Sequence, residues 1–260
     1  MYGAIIGDLA GSIYEYDQTK KVHRIDVKDL IEESSFFSDD TVLTVAILDA
    51  ILNRTTYGYA LKTYIGKYYK KIPQDREYFE YLFSPGLMRW YRDDNIGESY
   101  GNGAMMRISP IGYLFDDEQT IRTNAYLATS TSHNSKEAID AATMIALIIY
   151  YARRGMKKED IINKLDLDVR YKPFDRFNIT CYETINNVIY AAFVNTSFES
   201  SIKEVISYGG DTDTNACITG SIAEALYGIN DDLIKAANKK IPADFVTTLE
   251  KGYAKVKRLG

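Results

Sequence analysis

Cysteine and histidine are scarce in this sequence. The 260 residues include only two cysteines, Cys181 and Cys217, and only two histidines, and no C-x-x-C motif occurs. Structural zinc sites and disulfide frameworks both depend on several such residues at characteristic spacings. The sequence therefore argues against a zinc site and against a disulfide-stabilised fold, and it favours a reducing, cytoplasmic location.

Excess positive charge and long apolar runs are missing as well. The net charge is -5, whereas proteins that bind nucleic acid in general carry surplus Lys and Arg. The apolar start, Met1 to Ala10, lacks a basic leader and is too short to span a membrane. We expect neither general nucleic-acid binding, nor a membrane segment, nor an export signal.

The composition is that of an ordinary globular protein, with 46% hydrophobic and 26% charged residues. No linker, low-complexity tract or fixed-period repeat divides the chain. The sequence therefore predicts one domain over residues 1–260, and a monomer is favoured.

Apolar residues recur at helical spacing through most of the chain. Val42, Leu43, Ala46, Ile47 and Ala50 are an example. The predicted helices cover about residues 3–13, 40–52, 57–70, 119–129, 135–153, 158–164, 182–194, 199–208, 213–226 and 243–256. The predicted fold class is all-α, with the almost wholly apolar segment 138–151 at its centre.

The first predicted helix carries Gly3, Gly7 and Gly11 at four-residue spacing, which places them on one face. Glycine costs about 1 kcal/mol relative to alanine inside a helix, so this face indicates close packing against another backbone. Glu15 follows on the same row. It is either a solvated residue beyond the helix end or a functional carboxylate.

Two other helix starts are acidic. Ser38, Asp39, Asp40 and Thr41 precede one apolar helix, and the run Gly209-Gly210-Asp211-Thr212-Asp213-Thr214-Asn215 precedes another. Helix capping is an adequate local explanation for each, because short polar side chains and acids favour a helix N-terminus. One cap, however, needs only one such side chain, and the pattern occurs twice.

If the five carboxylates at these positions met in space, they would repel one another unless cations neutralised them. They are Glu15, Asp39, Asp40, Asp211 and Asp213. Carboxylate and hydroxyl oxygens are hard ligands that suit Mg²⁺ or Mn²⁺. The hypothesis is a site for two divalent ions.

Two further stretches could contact a ligand. Residues 98–107 read Glu-Ser-Tyr-Gly-Asn-Gly-Ala-Met-Met-Arg, and small residues of this kind allow backbone N–H groups to approach a phosphate, although a plain turn explains them too. His133, in Thr131-Ser132-His133-Asn134, could donate a hydrogen bond to a ligand or serve as a structural histidine.

Taken in order, five segments resemble the ADP-ribosylglycohydrolase family, which includes the bacterial enzymes that reactivate dinitrogenase reductase. They are 3–15, 37–41, 98–107, 131–135 and 209–228. The resemblance implies a compact orthogonal bundle of many α-helices and two magnesium or manganese ions. It also implies cleavage of the glycosidic bond between ADP-ribose and an acceptor such as an arginine or serine side chain.

The resemblance also implies residue roles. Ser38, Asp39, Asp40, Asp211, Asp213 and Thr214 resemble the metal ligands. Glu15, Asp39 and Asp40 are the candidate catalytic carboxylates. Ser99, Tyr100, Gly101, Asn102 and Gly103 resemble the loop that holds the diphosphate and ribose, and His133 resembles a histidine that contacts ADP-ribose.

This chain departs from the family where Ser38 and Ser132 replace the usual threonines. Ser38 keeps a hydroxyl ligand. Nothing in residues 53–97 or 155–180 matches an element that would recognise the acceptor.

The expected substrate is an ADP-ribosylated protein, with arginine favoured over serine as the acceptor. One alternative is a hydrolase of a free ADP-ribosyl metabolite or of ADP-ribosylated nucleic acid. Another is a non-catalytic protein, either crystallin-like or ADP-ribose-binding, because fold alone does not settle activity.

Overall fold

A computed structural model describes residues 1–15, 26–71, 82–93, 97–174 and 176–257. Its helices are α1 (Tyr2–Gly11), α2 (Asp39–Asn53), α3 (Tyr57–Tyr68), α4 (Pro85–Arg92), α5 (Gly103–Met106), α6 (Ser109–Leu114), α7 (Glu118–Ser130), α8 (Lys136–Arg153), α9 (Lys158–Leu165), α10 (Cys181–Val194), α11 (Phe198–Ile206), α12 (Thr212–Tyr227), α13 (Asp231–Asn238) and α14 (Ala243–Val256).

The all-α prediction is confirmed for these residues. Their only β-type pairings are the isolated bridges Glu98–His133 and Gly101–Thr180. All ten predicted helices are present, with ends that differ by about two residues at most. None of the described helices is both long and apolar enough to cross a membrane.

Four short helices were not predicted: α4, α5, α6 and α13. Each has eight residues or fewer, so each offers too few turns for a helical apolar pattern to stand out. Two of them, α4 and α6, carry a proline in the first turn, where its missing N–H costs no hydrogen bond.

Helix α8 lies at the centre of the bundle, as its apolar sequence predicts. Ala142, Ile145, Ala146 and Ile149 are fully buried, and the helix packs against α6, α7, α10 and α12. Its N-cap is Ser135, whose hydroxyl accepts a hydrogen bond from the Ala138 amide. This cap fixes the start of α8 directly after the segment that carries His133.

Helices α1 and α12 pack backbone against backbone. A Cβ atom added to Gly3 would lie 2.1 Å from the Gly220 carbonyl oxygen, and one added to Gly7 would lie 2.0 Å from that of Ala216. At Gly11 the same atom would be 2.2 Å from a backbone oxygen of α12. The glycine face therefore serves the close contact that its spacing predicts, and it brings the end of α1 to the acidic start of α12.

Candidate metal centre and active site

The two acidic helix starts, which are far apart in sequence, meet in the fold. The Thr214 hydroxyl donates to Asp40 Oδ2 at 3.3 Å, so the first turns of α2 and α12 are in direct contact. One group of carboxylates, Asp8, Asp40 and Asp213, has ligand oxygens within 4.8 Å of one another. A second group, Glu15, Asp211 and Asp213, meets the same limit, so Asp213 belongs to both.

Asp8 is a member of the centre that the sequence analysis did not single out. Its carboxylate accepts hydrogen bonds from the Ser38 amide at 2.9 Å, the Thr41 amide at 3.1 Å and the Thr41 hydroxyl at 2.5 Å. These bonds attach α1 to the first turn of α2. Asp8 is the one charged residue of α1, and every residue of this helix is buried. A buried charge requires partners, so a lone acid in an otherwise apolar helix was the signal that the sequence offered.

Ser38 acts as a helix cap, as the simpler interpretation of its stretch predicts. Its hydroxyl accepts from the Asp40 amide at 3.1 Å. Asp40 is almost fully buried, and its Oδ2 accepts from the hydroxyls of Ser38 and Thr214. Its other oxygen, Oδ1, is buried and has no hydrogen-bond partner in the described part of the chain, which is a costly arrangement unless a cation completes it.

The start of α12 is not capped by its own acid. Asp211 occupies the N-cap position, yet its side chain caps no helix amide and instead accepts from Asn102 Nδ2 at 2.7 Å. Gly209 and Gly210 precede it with φ values of 74° and 76°, in the left-handed region that glycine tolerates. Asn178 then accepts from the Asp211 amide at 3.0 Å.

Asn178 is a second residue that the sequence analysis missed. It is buried, and its side-chain amide donates to Thr184 and to Asn215, each at 2.8 Å. Together with its bond to the Asp211 amide, these contacts hold the turn before α12. Two of these partners, Asp211 and Asn215, are distant in the chain, so the sequence alone does not identify Asn178 as part of the site.

Burial and mutual repulsion destabilise the charged forms of these acids. Burial, followed by the charge of Asp213, raises the pKa of Asp8 to about 7 and that of Asp39 to about 8. The same causes, in the same order, raise the pKa values of Asp40 and Asp211 well above the usual range. The donors are hard oxygens and include an unpartnered buried one, so they fit divalent cations.

A cavity of about 440 Å³ opens over this centre. The predicted site residues that line it are Glu15, Ser38, Asp39, Ser99, Gly101, Asn102, Gly103, His133, Asp211, Asp213 and Thr214. Two predicted residues are not among its lining. Asp40 is 1% exposed, and the Tyr100 side chain, 57% exposed, lies on the protein surface.

Part of the cavity wall comes from a region in which the sequence analysis matched nothing. Leu82, Phe83, Ser84, Pro85 and Leu87, at and before the start of α4, line it. The sequence did not predict this mainly apolar part of the lining, because a short apolar run before a Ser-Pro cap looks like any helix start.

His133 is held against the loop 99–103. Its backbone pairs with Glu98, and a Cβ atom added to Gly103 would lie 3.5 Å from His133 Nε2. Burial, and then the positive charge of Arg107, lowers the pKa of His133 well below its usual value. Arg107 also lines the cavity, although the sequence analysis gave it no role.

An all-helical bundle with a carboxylate-rich cavity over two converging helix starts defines a class of candidate metal-dependent hydrolases. The family model for ADP-ribosylglycohydrolase matches residues 1–259. The chain therefore belongs to the ADP-ribosylglycohydrolase family, and it is a hydrolase of linkages to ADP-ribose.

Two curated relatives illustrate the distance within the family. ADP-ribosylhydrolase ARH3 of Mus musculus is 23% identical, over 87% of this chain and 82% of that protein. ADP-ribosylarginine hydrolase Tri1 of Pseudomonas putida (strain GB-1) is 22% identical, over 88% of this chain and 70% of that protein.

A solved structure described as an ADP-ribosylglycohydrolase-related protein complex aligns with a TM-score of 0.71. It is 20% identical and covers 98% of this chain and 93% of that one. The predicted helical bundle of the ADP-ribosylglycohydrolase type is thereby confirmed.

Proposed function

We propose that this chain uses two divalent cations, Mg²⁺ or Mn²⁺, to hydrolyse the glycosidic bond between ADP-ribose and a modified protein side chain. The observation that carries the proposal is the pair of carboxylate groups that share Asp213, which lines the cavity. Two adjacent acidic groups with one common member are the ligand arrangement expected of a dinuclear site.

The residues that would hold the cations are Ser38, Asp39, Asp40, Asp211, Asp213 and Thr214. When bound, the cations would supply charge neutralisation and lower the pKa of a coordinated water. Asp8 would contribute by fixing the first turn of α2, and Asn102 and Asn178 by fixing Asp211.

The remaining cavity residues would orient the substrate. Ser99, Gly101, Asn102, Gly103 and His133 form one wall, on which the diphosphate and ribose would bind, with Tyr100 at the surface beside it. Orientation of the anomeric carbon relative to a water molecule would account for much of the rate. A carboxylate among Glu15, Asp39 and Asp40 would accept the proton from that water.

Arginine is the acceptor that we propose first. Support comes from the relative from Pseudomonas putida, whose name specifies ADP-ribosylarginine. The half-buried Glu15 carboxylate, which lines the cavity, would suit a positively charged leaving group. ADP-ribosyl-serine, a free ADP-ribosyl metabolite and modified DNA are the competing substrates.

The experiment is a substrate panel assayed for released ADP-ribose, with the metal removed by chelation and then restored as Mg²⁺ or Mn²⁺. We expect turnover of the arginine conjugate that disappears in excess chelator and returns with either ion. Asp39→Ala and Asp213→Ala should abolish release while the protein remains folded.

A matched control is Asp232→Ala, because Asp232 is an exposed acid in the first turn of α13, paired with Lys235. It should turn over normally. Unchanged activity in chelator, or full activity in both site variants, would contradict the two-metal proposal. Turnover confined to another conjugate would replace arginine as the acceptor, and a folded, metal-loaded protein without turnover would favour a binding role.

A further inference from the structure

Arg107 is the largest fully buried side chain of the described residues, with 1% of its surface exposed. Its guanidinium forms no ion pair within the parts of the chain that the structure describes. Burial lowers its pKa only to about 10, so the group stays cationic at neutral pH. A guanidinium cannot accept a hydrogen bond, and Arg107 therefore acts only as a donor.

The donors of Arg107 are unevenly satisfied. Nη2 donates to the Ser132 hydroxyl at 2.7 Å and to the Ala128 carbonyl at 3.4 Å, whereas Nε and Nη1 are buried and have no partner among the described residues. Leaving such donors unpaired is expensive, and a side chain chosen only for packing would avoid that cost. Arg107 is therefore better explained by the contacts of its Nη2 with the Ser132 hydroxyl and with His133.

Ser132 connects this cation to the imidazole ring. Its hydroxyl, 2% exposed, lies 2.8 Å from His133 Nδ1, and Arg107 Nη2 lies 3.4 Å from the same nitrogen. Because the Ser132 oxygen already accepts from Arg107, its hydrogen is free to be donated. Nδ1 is the only acceptor that the described residues offer it.

The opposite arrangement leaves polar groups unsatisfied. A proton on Nδ1 would point at the Ser132 oxygen, would face the Arg107 hydrogens, and would leave the Ser132 hydrogen buried without an acceptor. With Nδ1 unprotonated, the ring proton of neutral His133 is on Nε2. That nitrogen lies beside the loop 99–103, near Gly101 and Gly103, at the wall of the cavity.

We propose that Arg107 and Ser132 are positioning residues that hold His133 in its neutral Nε2–H form, as a fixed hydrogen-bond donor to an oxygen of bound ADP-ribose. This inference rests on the proposed function for the identity of the ligand. The hydrogen-bond order itself, Arg107 to Ser132 to His133, is a property of the ligand-free protein and can be tested without turnover.

The first measurement is the protonation state of the His133 ring in ligand-free protein. Long-range ¹H–¹⁵N correlation NMR distinguishes a protonated ring nitrogen from an unprotonated one. His23, which lies outside the described residues, is replaced (His23→Gln) so that a single ring remains. We expect a protonated Nε2 and an unprotonated Nδ1.

The second measurement compares variants of the two positioning residues. Ser132→Ala and Arg107→Met should give a mixture of ring tautomers and weaken ADP-ribose binding by about tenfold, the loss expected for one hydrogen bond to an anionic ligand. Ser132→Thr keeps the hydroxyl and should retain the Nε2–H form. Ser201→Ala removes an equally buried hydroxyl, which donates to the Ser197 carbonyl, and should change neither readout.

A protonated Nδ1 in the His23→Gln protein would overturn the proposal. So would a Ser132→Ala protein that keeps a single Nε2–H tautomer and full affinity, and that variant decides the matter if Arg107→Met does not fold. The failure of the proposed function would appear separately, as absence of turnover in a protein whose ring carries its proton on Nε2.

Discussion

The first turns of α2 and α12 present similar sequences but are built differently. At α2, Ser38 caps the helix, while Asp39 lines the cavity and Asp40 is buried beside it. At α12, Asp211 occupies the cap position without capping, and Asn178 and Asn102 hold it from outside the helix. The two acidic motifs therefore differ in their capping: a local serine caps α2, whereas the acid at the cap position of α12 does not cap its helix.

The largest effect should come from removing the acid that both carboxylate groups share. Asp213→Asn should lower the rate of ADP-ribose release by about a thousandfold or more, because it disrupts both carboxylate groups at once. Asp40→Asn, which affects one group, should cost less. Equal losses in the two variants, measured at saturating metal, would contradict the central position of Asp213.

The contact between α1 and α12 can be tested through stability. In Gly7→Ala the new methyl group would meet the Ala216 backbone oxygen, which cannot rotate away, so we expect a loss of about 3 kcal/mol in the free energy of unfolding. Gly58→Ala is the matched control, because its nearest neighbour outside the helix would be 3.5 Å away. It should be neutral or slightly stabilising in urea denaturation. A Gly7→Ala protein as stable as this control would refute the contact.

The acids around the start of α2 should make the free energy of unfolding depend on both pH and metal. The folded pKa values of Asp8 and Asp39, about 7 and about 8, exceed those of the unfolded chain, so the folded metal-free protein binds protons more tightly. Its free energy of unfolding should therefore fall as the pH rises from about 5 to about 8.

Added Mn²⁺ should reverse this loss most strongly at the higher pH, where the acids are ionised. Urea denaturation with chelator and with Mn²⁺ at both pH values measures the difference. Metal-free protein that is more stable at the higher pH would contradict the raised pKa values.

The smallest predicted effect distinguishes the Ser38 cap of α2 from the uncapped start of α12. In chelator, Ser38→Ala should cost about 1 kcal/mol, the usual value of a lost N-cap, and Ser38→Thr should restore most of it. Asp211→Asn should cost nothing or stabilise the metal-free protein, because it removes a repelled charge and keeps an oxygen for Asn102. A loss of similar size in both variants would show that Asp211 does cap its helix.

Much of the fold and of the centre followed from the sequence because both signals are local. The ten predicted helices have a continuous apolar face, and the acidic motifs stand directly before two of them. The sequence alone gave alternatives for Glu15 and for each acidic start, and it could not show that they meet. The resemblance to a family supplied that step as an expectation.

The missed residues share a different property. Asp8, Asn178 and Arg107 each bind at least one partner that is 25 or more residues away in the chain, namely Ser38, Asp211 and Ser132. No short-range pattern encodes such a pairing. A charged side chain inside an otherwise apolar helix was the one available clue, and it applied to Asp8 only.

The glycine face of α1 also limits how this enzyme can change. Where α1 meets α12, peptide groups rather than side chains set the separation between the two helices. Mutation cannot shorten or lengthen a peptide group. Variation in substrate preference among descendants of this chain would then arise more readily in the apolar part of the cavity lining, around Phe83 and the start of α4, where side chains form the surface.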